Sequence, residues 1–276
     1  MPPLDLESLP PLRESLSEHG LLARKSFGQH FLLDMNITRK IARLAGPLEG
    51  QTVIEVGPGP GGLTRALLEA GASVIAVEKD PRFLPLLTEL ALAADGALSV
   101  IEADALKIDE AALAGGSAHI VANLPYNVGT PLLIHWLTGS WRPISMTLMF
   151  QKEVADRIAA PPGSEAFGRL AVISQALCRA QVVMDLPARA FTPPPKVASA
   201  VVRLDPLATP PEPQIVAALE KITAASFGQR RKMLRSSLKT LGGAGLCEAA
   251  GISPDVRAET VDIAGFLALA RVLADA

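Results

Sequence analysis

From Gln51 onward, short β-branched runs alternate with stretches of helical period. Thr52–Val56 (TVIEV) predicts a strand, and the loop Gly57–Gly62 follows it. Leu63–Ala70 predicts a helix closed by Gly71. Ser73–Val77 predicts a second strand and Arg82–Ala93 a second helix. Leu98–Glu102 and His119–Ala122 predict a third and a fourth strand. A helix opens at a proline over Pro131–Leu137. Ser145–Phe150 reads as a fifth strand and Lys152–Ala159 as the helix after it. These strands are almost wholly apolar, so both of their faces are covered. Strand-helix alternation of this kind implies a parallel sheet with helices on both sides.

After Pro162 the pattern changes. Gly168–Arg179 predicts a helix. Val182–Leu186 and Ala198–Leu204 predict two strands that close the same sheet, joined through the proline-stiffened loop Ala190–Lys196. Asp205–Pro213 (DPLATPPEP) reads as a linker. Beyond it the chain is helical, with breaks at Gly242, Gly243, Gly245 and Gly251. The fold class is therefore α/β. A Rossmann-like domain over residues 1–207 carries a mostly parallel seven-stranded sheet, and a small all-helical domain occupies residues 208–276.

Composition narrows the function classes. The chain has 276 residues, 49% of them hydrophobic and 20% charged, which excludes a disordered chain. The net charge of −2 argues against a whole-surface polyanion binder but leaves room for a local basic patch. Cys178 and Cys247 are too few for a disulfide framework and read as small buried apolar residues. His19, His30, His119 and His135 are scattered, so no metal is expected. The uncharged run from Ala111 to Trp141 is interrupted by Gly115, Gly116, Asn123, Pro125, Asn127 and Pro131, too often for a membrane span. The N-terminus lacks a basic region followed by an apolar one. The expectation is a soluble, cytoplasmic protein.

The first chemical feature is Glu55–Gly62 (EVGPGPGG). Gly57, Gly59 and Gly62 satisfy G-x-G-x-x-G between a strand and a helix. Glu78, at the tip of the next strand, is placed to accept both hydroxyls of a ribose. A nucleoside-containing cofactor follows, and on this evidence a nicotinamide one stays open. Pro58 and Pro60 tilt the choice, because a pyrophosphate is held by loop amides that proline lacks. Asp104, beyond the third strand, is placed to accept from an adenine amine.

The fourth strand runs into Asn123-Leu-Pro-Tyr126, which contains the only tyrosine of the chain. Transfer to the exocyclic amine of a base needs acceptors for the amine and a ring to clamp the base. The Asn123 amide oxygen and the Leu124 carbonyl, fixed by Pro125, supply the first. Tyr126 supplies the second, at about 1–3 kcal/mol per stacked base. No strong base is needed, so catalysis is mostly positioning.

Six segments appear here in order: Lys25–Leu32 (KSFGQHFL), Glu55–Thr64 (EVGPGPGGLT), Asn123–Tyr126 (NLPY), Gln151–Val154 (QKEV), Phe191–Val197 (FTPPPKV) and Phe227–Lys232 (FGQRRK). Over about residues 20–275 the chain resembles the KsgA family of ribosomal RNA adenine dimethyltransferases. The resemblance implies methyl transfer from S-adenosylmethionine to two adjacent adenosines near the 3′ end of small-subunit (16S) rRNA. It places His30 and Leu32 at the methionine end of the cofactor and Gly57 beneath it. Glu78 falls on the ribose, Asp104 on the adenine and Asn123 at the transfer point. His30 departs from the asparagine usual in the family. Phe191 would be a second ring, closing on the adenine against Tyr126.

Arg230, Arg231, Lys232, Arg235 and Lys239 form a basic run, and on a helix 231, 235 and 239 would make one stripe. The run reads as RNA phosphate contact. Expected partners are small-subunit rRNA and the immature 30S subunit, with the protein a monomer and no membrane involved. Three rivals remain at this point: a large-subunit rRNA adenine methyltransferase, a ribosome-assembly or transcription factor on the same fold, and a nicotinamide-dependent oxidoreductase.

Overall fold

The computed structural model describes residues 6, 9–21, 29–229 and 231–276. Helix α1 (Leu12–Glu18), the two-residue strand β1 (Phe31–Leu32) and α2 (Met35–Leu44) come first. The Asp34 side chain caps α2 by accepting from the Asn36 N–H at 2.8 Å. Next come β2 (Thr52–Val56), α3 (Gly62–Glu69), β3 (Ser73–Glu78), α4 (Leu84–Ala93), β4 (Leu98–Glu102) and α5 (Glu110–Ala114). Then follow β5 (His119–Asn123), α6 (Gly129–Thr138), β6 (Met146–Gln151), α7 (Lys152–Ile158) and α8 (Arg169–Leu177). Strands β7 (Cys178–Leu186), β8 (Phe191–Thr192) and β9 (Ser199–Pro206) precede the helices α9 (Pro213–Gly228), α10 (Leu234–Ser237), α11 (Gly243–Ala249) and α12 (Ile263–Ala274).

Seven strands form one sheet in the order β4-β3-β2-β5-β6-β9-β7. The pairings β2 with β3, β2 with β5, β3 with β4 and β5 with β6 are all parallel. The chain moves outward from β2 to β4, then crosses back to β5 on the other side. That reversal lies between β2 and β5, and in such sheets ligands bind there, at the carboxyl ends. The expected helix Gly168–Arg179 ends two residues early, because Cys178 already takes extended dihedrals. From Cys178 the exposed positions Arg179, Gln181 and Asp185 alternate with more covered ones, as an edge strand requires. Separately, β1 and β8 pair antiparallel, with Phe31 opposite Thr192 and Leu32 opposite Phe191.

Contacts divide the chain into two compact units. The first comprises residues 1–136, 141–155 and 182–203, and the second 137–140, 156–181 and 204–276. The core of the first contains Leu48, Val53, Leu67 and Val121, all nearly inaccessible. The core of the second gathers Phe167, Leu219, Ile222, Leu234, Leu238 and Phe266, each 0% exposed. Helix α8, which precedes the proline-rich segment in the chain, packs with α9 and α12 in this second core. Cys178 and Cys247 are both free and buried. No helix among the described residues is long and apolar enough to cross a membrane.

Gly62 shows how tightly the first unit is built. A methyl group there would come within 2.6 Å of the Leu32 carbonyl and 3.1 Å of Leu12 Cδ1. By helix propensity alone, Gly62→Ala in α3 would stabilise. The collision is with backbone, so the expected result is the reverse: a loss of about 1–3 kcal/mol. That corresponds to a fall in melting temperature of roughly 2–4 °C per kcal/mol. A thermal melt reads it directly, and a rise in melting temperature would show that β1 can move aside freely.

Candidate active site

The central strands deliver the expected site residues at their carboxyl ends. β2 runs into Gly57, β3 ends in Glu78, Asp104 stands two residues past β4, and β5 ends in Asn123. Parallel register brings them to one edge of the sheet, where a cavity of about 320 Å³ opens. Its wall includes His30, Gly57, Glu78, Asp104 and the whole turn Asn123, Leu124, Pro125, Tyr126.

Gly57 has φ +68°, a left-handed conformation that favours glycine. Its N–H donates to the Val77 carbonyl at 2.9 Å, which holds the loop over the end of β3. Glu78 is 7% exposed. Its Oε2 accepts from the Gly59 N–H at 3.0 Å and its Oε1 from the Asp80 N–H at 2.7 Å. Burial pushes the Glu78 carboxyl above its usual range, and these backbone donors pull against it. Asp104 accepts from Lys79 Nζ at 2.8 Å and from the Leu106 N–H at 3.1 Å. The Lys79 bond, with the Leu106 bond second, holds it below the usual carboxylate range.

Under the loop lies Glu55, 1% exposed. Burial raises its carboxyl to about 8; the Thr64 hydroxyl beside it opposes the rise and the Glu78 carboxylate adds to it. Neither Glu55 Oε2 nor the Thr64 hydroxyl makes a hydrogen bond of normal geometry. Glu55 is thus neutral at pH 7, which keeps a second charge away from Glu78.

On the other side of the cavity, Asn123 Nδ2 donates to the His30 carbonyl at 3.2 Å, which leaves Oδ1 as its acceptor side. The Pro125 carbonyl accepts from the Val128 and Gly129 N–H groups, each at 3.1 Å, so the turn feeds straight into α6. The Tyr126 hydroxyl lies 2.9 Å from Ser199 Oγ, and its ring stacks on His30 with centroids 5.4 Å apart. Burial raises the Tyr126 phenol above its ordinary value, and the Ser199 bond opposes the rise.

Two expected site residues stand elsewhere. Leu32 is 5% exposed and Phe191 3%, and both belong to the apolar core. They face each other across the β1–β8 pair, which turns both side chains inward. Phe191 therefore does not present a ring to the cavity. The ring that touches Tyr126 is His30.

The basic stripe is also corrected. Helix α9 ends at Gly228, and Arg231 and Lys232 lie in a turn. Met233 bridges to Arg257, the Leu234 N–H donates to the Val256 carbonyl at 2.9 Å and the Arg235 N–H to the Pro254 carbonyl at 3.0 Å. These ties stop any continuous helix from 231 to 239. Arg235 lies in the short α10, and Lys239 opens a separate 3₁₀ turn. Arg235 pairs with Asp255 at 2.7 Å, an acid close in space but twenty residues along the chain. Arg230 lies outside the described residues, as do residues 25–28 of the first motif.

Residues that periodicity does not single out also line the wall, among them Gln29, Phe31, Lys79, Asp80 and Leu106. Asp80 is 4% exposed and accepts from Gln29 Nε2 at 2.9 Å and Arg82 Nε at 2.9 Å. Burial works to raise its carboxyl, but the Arg82 and Gln29 bonds outweigh it and hold Asp80 low. This network ties the segment carrying Gln29 and His30 to the end of β3. The only local sign of Asp80 is its place before Pro81, where the side chain caps a 3₁₀ turn. Leu106 is 43% exposed, an apolar face left open beside Asp104. Among the described residues no cluster of His, Cys, Asp and Glu could hold a metal ion.

The profile of the family described as ribosomal RNA adenine dimethylase matches residues 20–275. The chain is 74% identical to the ribosomal RNA small subunit methyltransferase A of Caulobacter vibrioides, over 91% of this chain and 97% of that protein. Among solved structures, a dimethyladenosine transferase from Plasmodium falciparum superposes with a TM-score of 0.71 at 25% identity, covering 87% of this chain and 96% of the other. The 23S rRNA methyltransferase ErmE superposes with a TM-score of 0.67 at 26% identity, covering 88% and 99%.

Proposed function

The chain belongs to the ribosomal RNA adenine dimethylase family, and from that premise we propose that its targets are two adjacent adenosines near the 3′ end of small-subunit rRNA. The chain is an rRNA adenine methyltransferase, and S-adenosylmethionine is the methyl donor. One observation carries the site assignment: the Asn123–Tyr126 turn opens into the same cavity as Glu78 and Asp104.

The residues fit that donor. Glu78 spends one lone pair of each oxygen on a backbone N–H and keeps the others for the two ribose hydroxyls. Asp104 takes the adenine amine; its ion pair with Lys79, whose side chain is 67% exposed, is weak enough to rearrange. Leu106, exposed beside Asp104, would offer the adenine an apolar surface. Gly57 lets the cofactor approach the backbone, and Leu32 acts from behind, through the strand that follows His30.

S-adenosylmethionine brings a methyl group on a sulfonium that leaves readily. The chain supplies position. Asn123 Oδ1 and the Leu124 carbonyl accept from the target amine and turn its lone pair toward the methyl. Pro125 fixes the carbonyl direction, and Tyr126 stacks on the base. Reaching an adenine in folded RNA requires its extrusion into the cavity. Arg231, Lys232, Arg235 and Lys239, with Arg230, hold RNA phosphates. The Arg235–Asp255 pair is exposed and exchanges for phosphate at little cost. The substrate particle is an immature 30S subunit, the enzyme acts as a monomer, and it works in the cytoplasm.

The test is transfer of labelled methyl groups to small subunits lacking them, with the modified positions mapped. Label on two neighbouring adenosines near the 3′ end of the small-subunit RNA is the expected result. No label in rRNA adenines would refute the proposal. The likeness to ErmE keeps one second reading in view, and label in large-subunit RNA alone would favour it.

A further inference from the structure

We infer that His30, in place of Phe191, is the second ring of the active site, and that it acts by holding Tyr126 flat from behind while the target base stacks on the other face. The inference rests on the adenine-methylation reading above and adds a positioning residue to it.

His30 is fastened at two points. Its Nδ1 lies 2.8 Å from the Pro193 carbonyl. A carbonyl only accepts, so Nδ1 carries the hydrogen. Its own carbonyl accepts from Asn123 Nδ2 at 3.2 Å. Between these ties the imidazole stacks on Tyr126, with centroids 5.4 Å apart and planes 29° from parallel. That is contact distance for an offset aromatic pair, so no base passes between the rings. A swinging gate would not be tied at both ends, whereas a backing plate would. Tyr126 is itself pinned at its hydroxyl by Ser199, which is fully buried. Held at one face and at its far edge, the phenol ring has little freedom left to lose when a base arrives.

The hydrogen on Nδ1 also bears on the place that the family resemblance implies for His30. With Nδ1 held by the Pro193 carbonyl, only Nε2 is left to face a methionine moiety.

Three variants separate ring from hydrogen bond. His30→Ala removes both, His30→Phe keeps a ring alone, and His30→Asn keeps a polar side chain without a ring. Binding of S-adenosylhomocysteine is measured by calorimetry, and methyl transfer in single turnover on unmethylated small subunits. Tyr126 is the only tyrosine, so absorbance titration of the protein follows one phenol. With each protein saturated with S-adenosylmethionine, the transfer rate is expected to fall about tenfold in His30→Ala and His30→Asn and to return to within about threefold in His30→Phe. The phenol midpoint is expected to fall in His30→Ala, because the covering that raises it is relieved. Wild-type transfer by His30→Asn, or an unmoved phenol in His30→Ala, overturns the inference. If the wild-type protein labels no RNA adenine, the underlying functional reading fails instead.

Discussion

Asn123→Ala is expected to lower the rate of methyl transfer by about 10²–10³-fold, the loss typical when one preorganised polar group is removed from a reacting centre. Asn123 closes β5, whose register against β6 pairs Asn123 with Met149, so the backbone stays in place without the amide. Two things go with the side chain. The Oδ1 acceptor for the target amine is lost. So is the Nδ2 bond to the His30 carbonyl, which loosens the segment behind Tyr126. Asn123→Asp keeps an acceptor but loses that donor, and is expected to fall between the two. Single-turnover transfer from labelled S-adenosylmethionine measures the effect, with S-adenosylhomocysteine binding as the control for an intact cavity. Transfer by Asn123→Ala within fivefold of wild type would remove the turn from the mechanism.

Glu78→Ala is expected to weaken S-adenosylhomocysteine binding by about 10²-fold or more, since each charge-assisted hydrogen bond to a ribose hydroxyl contributes about 1.5–3 kcal/mol. The same substitution strips an acceptor from the N–H groups of Gly59 and Asp80. A buried donor left unpaired costs about 1–3 kcal/mol, so the free protein is also expected to melt lower. Glu78→Gln retains acceptor capacity at one oxygen only, and its loss of affinity is expected to be smaller. Calorimetry on the three proteins orders them. Equal affinity in wild type and Glu78→Ala would mean that the ribose is held elsewhere.

Much of the candidate site is legible in the sequence. The ends of β2, β3, β4 and β5 are each marked locally by a glycine, an acid or the NLPY turn. A parallel sheet needs no further information to bring them together, because its strands all end on one side. Legibility stops where a residue's role depends on its neighbours in space. Phe191 and His30 are both aromatic residues in quoted motifs. Only the pairing of β1 with β8 turns Phe191 into the core, and only the bond to Pro193, 163 residues away, sets His30 against Tyr126. Asp80 likewise reads as a turn residue until Gln29 and Arg82 are seen to converge on it.

The basic run shows the same limit from another side. By sequence, no acid falls between Glu220 and Glu248, and a helix would align Arg231, Arg235 and Lys239. In the structure Leu234 and Leu238 are both 0% exposed, and burying them against the second core takes precedence over continuing the helix. The turn this requires separates Arg231 from Arg235 and brings Asp255 beside the latter.

By itself the sequence determined the seven strands of the central sheet, the glycine loop and the acids and amide that end the central strands. Those are local matters of periodicity, backbone freedom and residue type. The tertiary structure alone decided which ring faces Tyr126, which core receives α8, and which cations acquire an acidic partner. Each of those depends on burying apolar surface and pairing polar groups between segments far apart in the chain, and no window of sequence contains both members of such a pair.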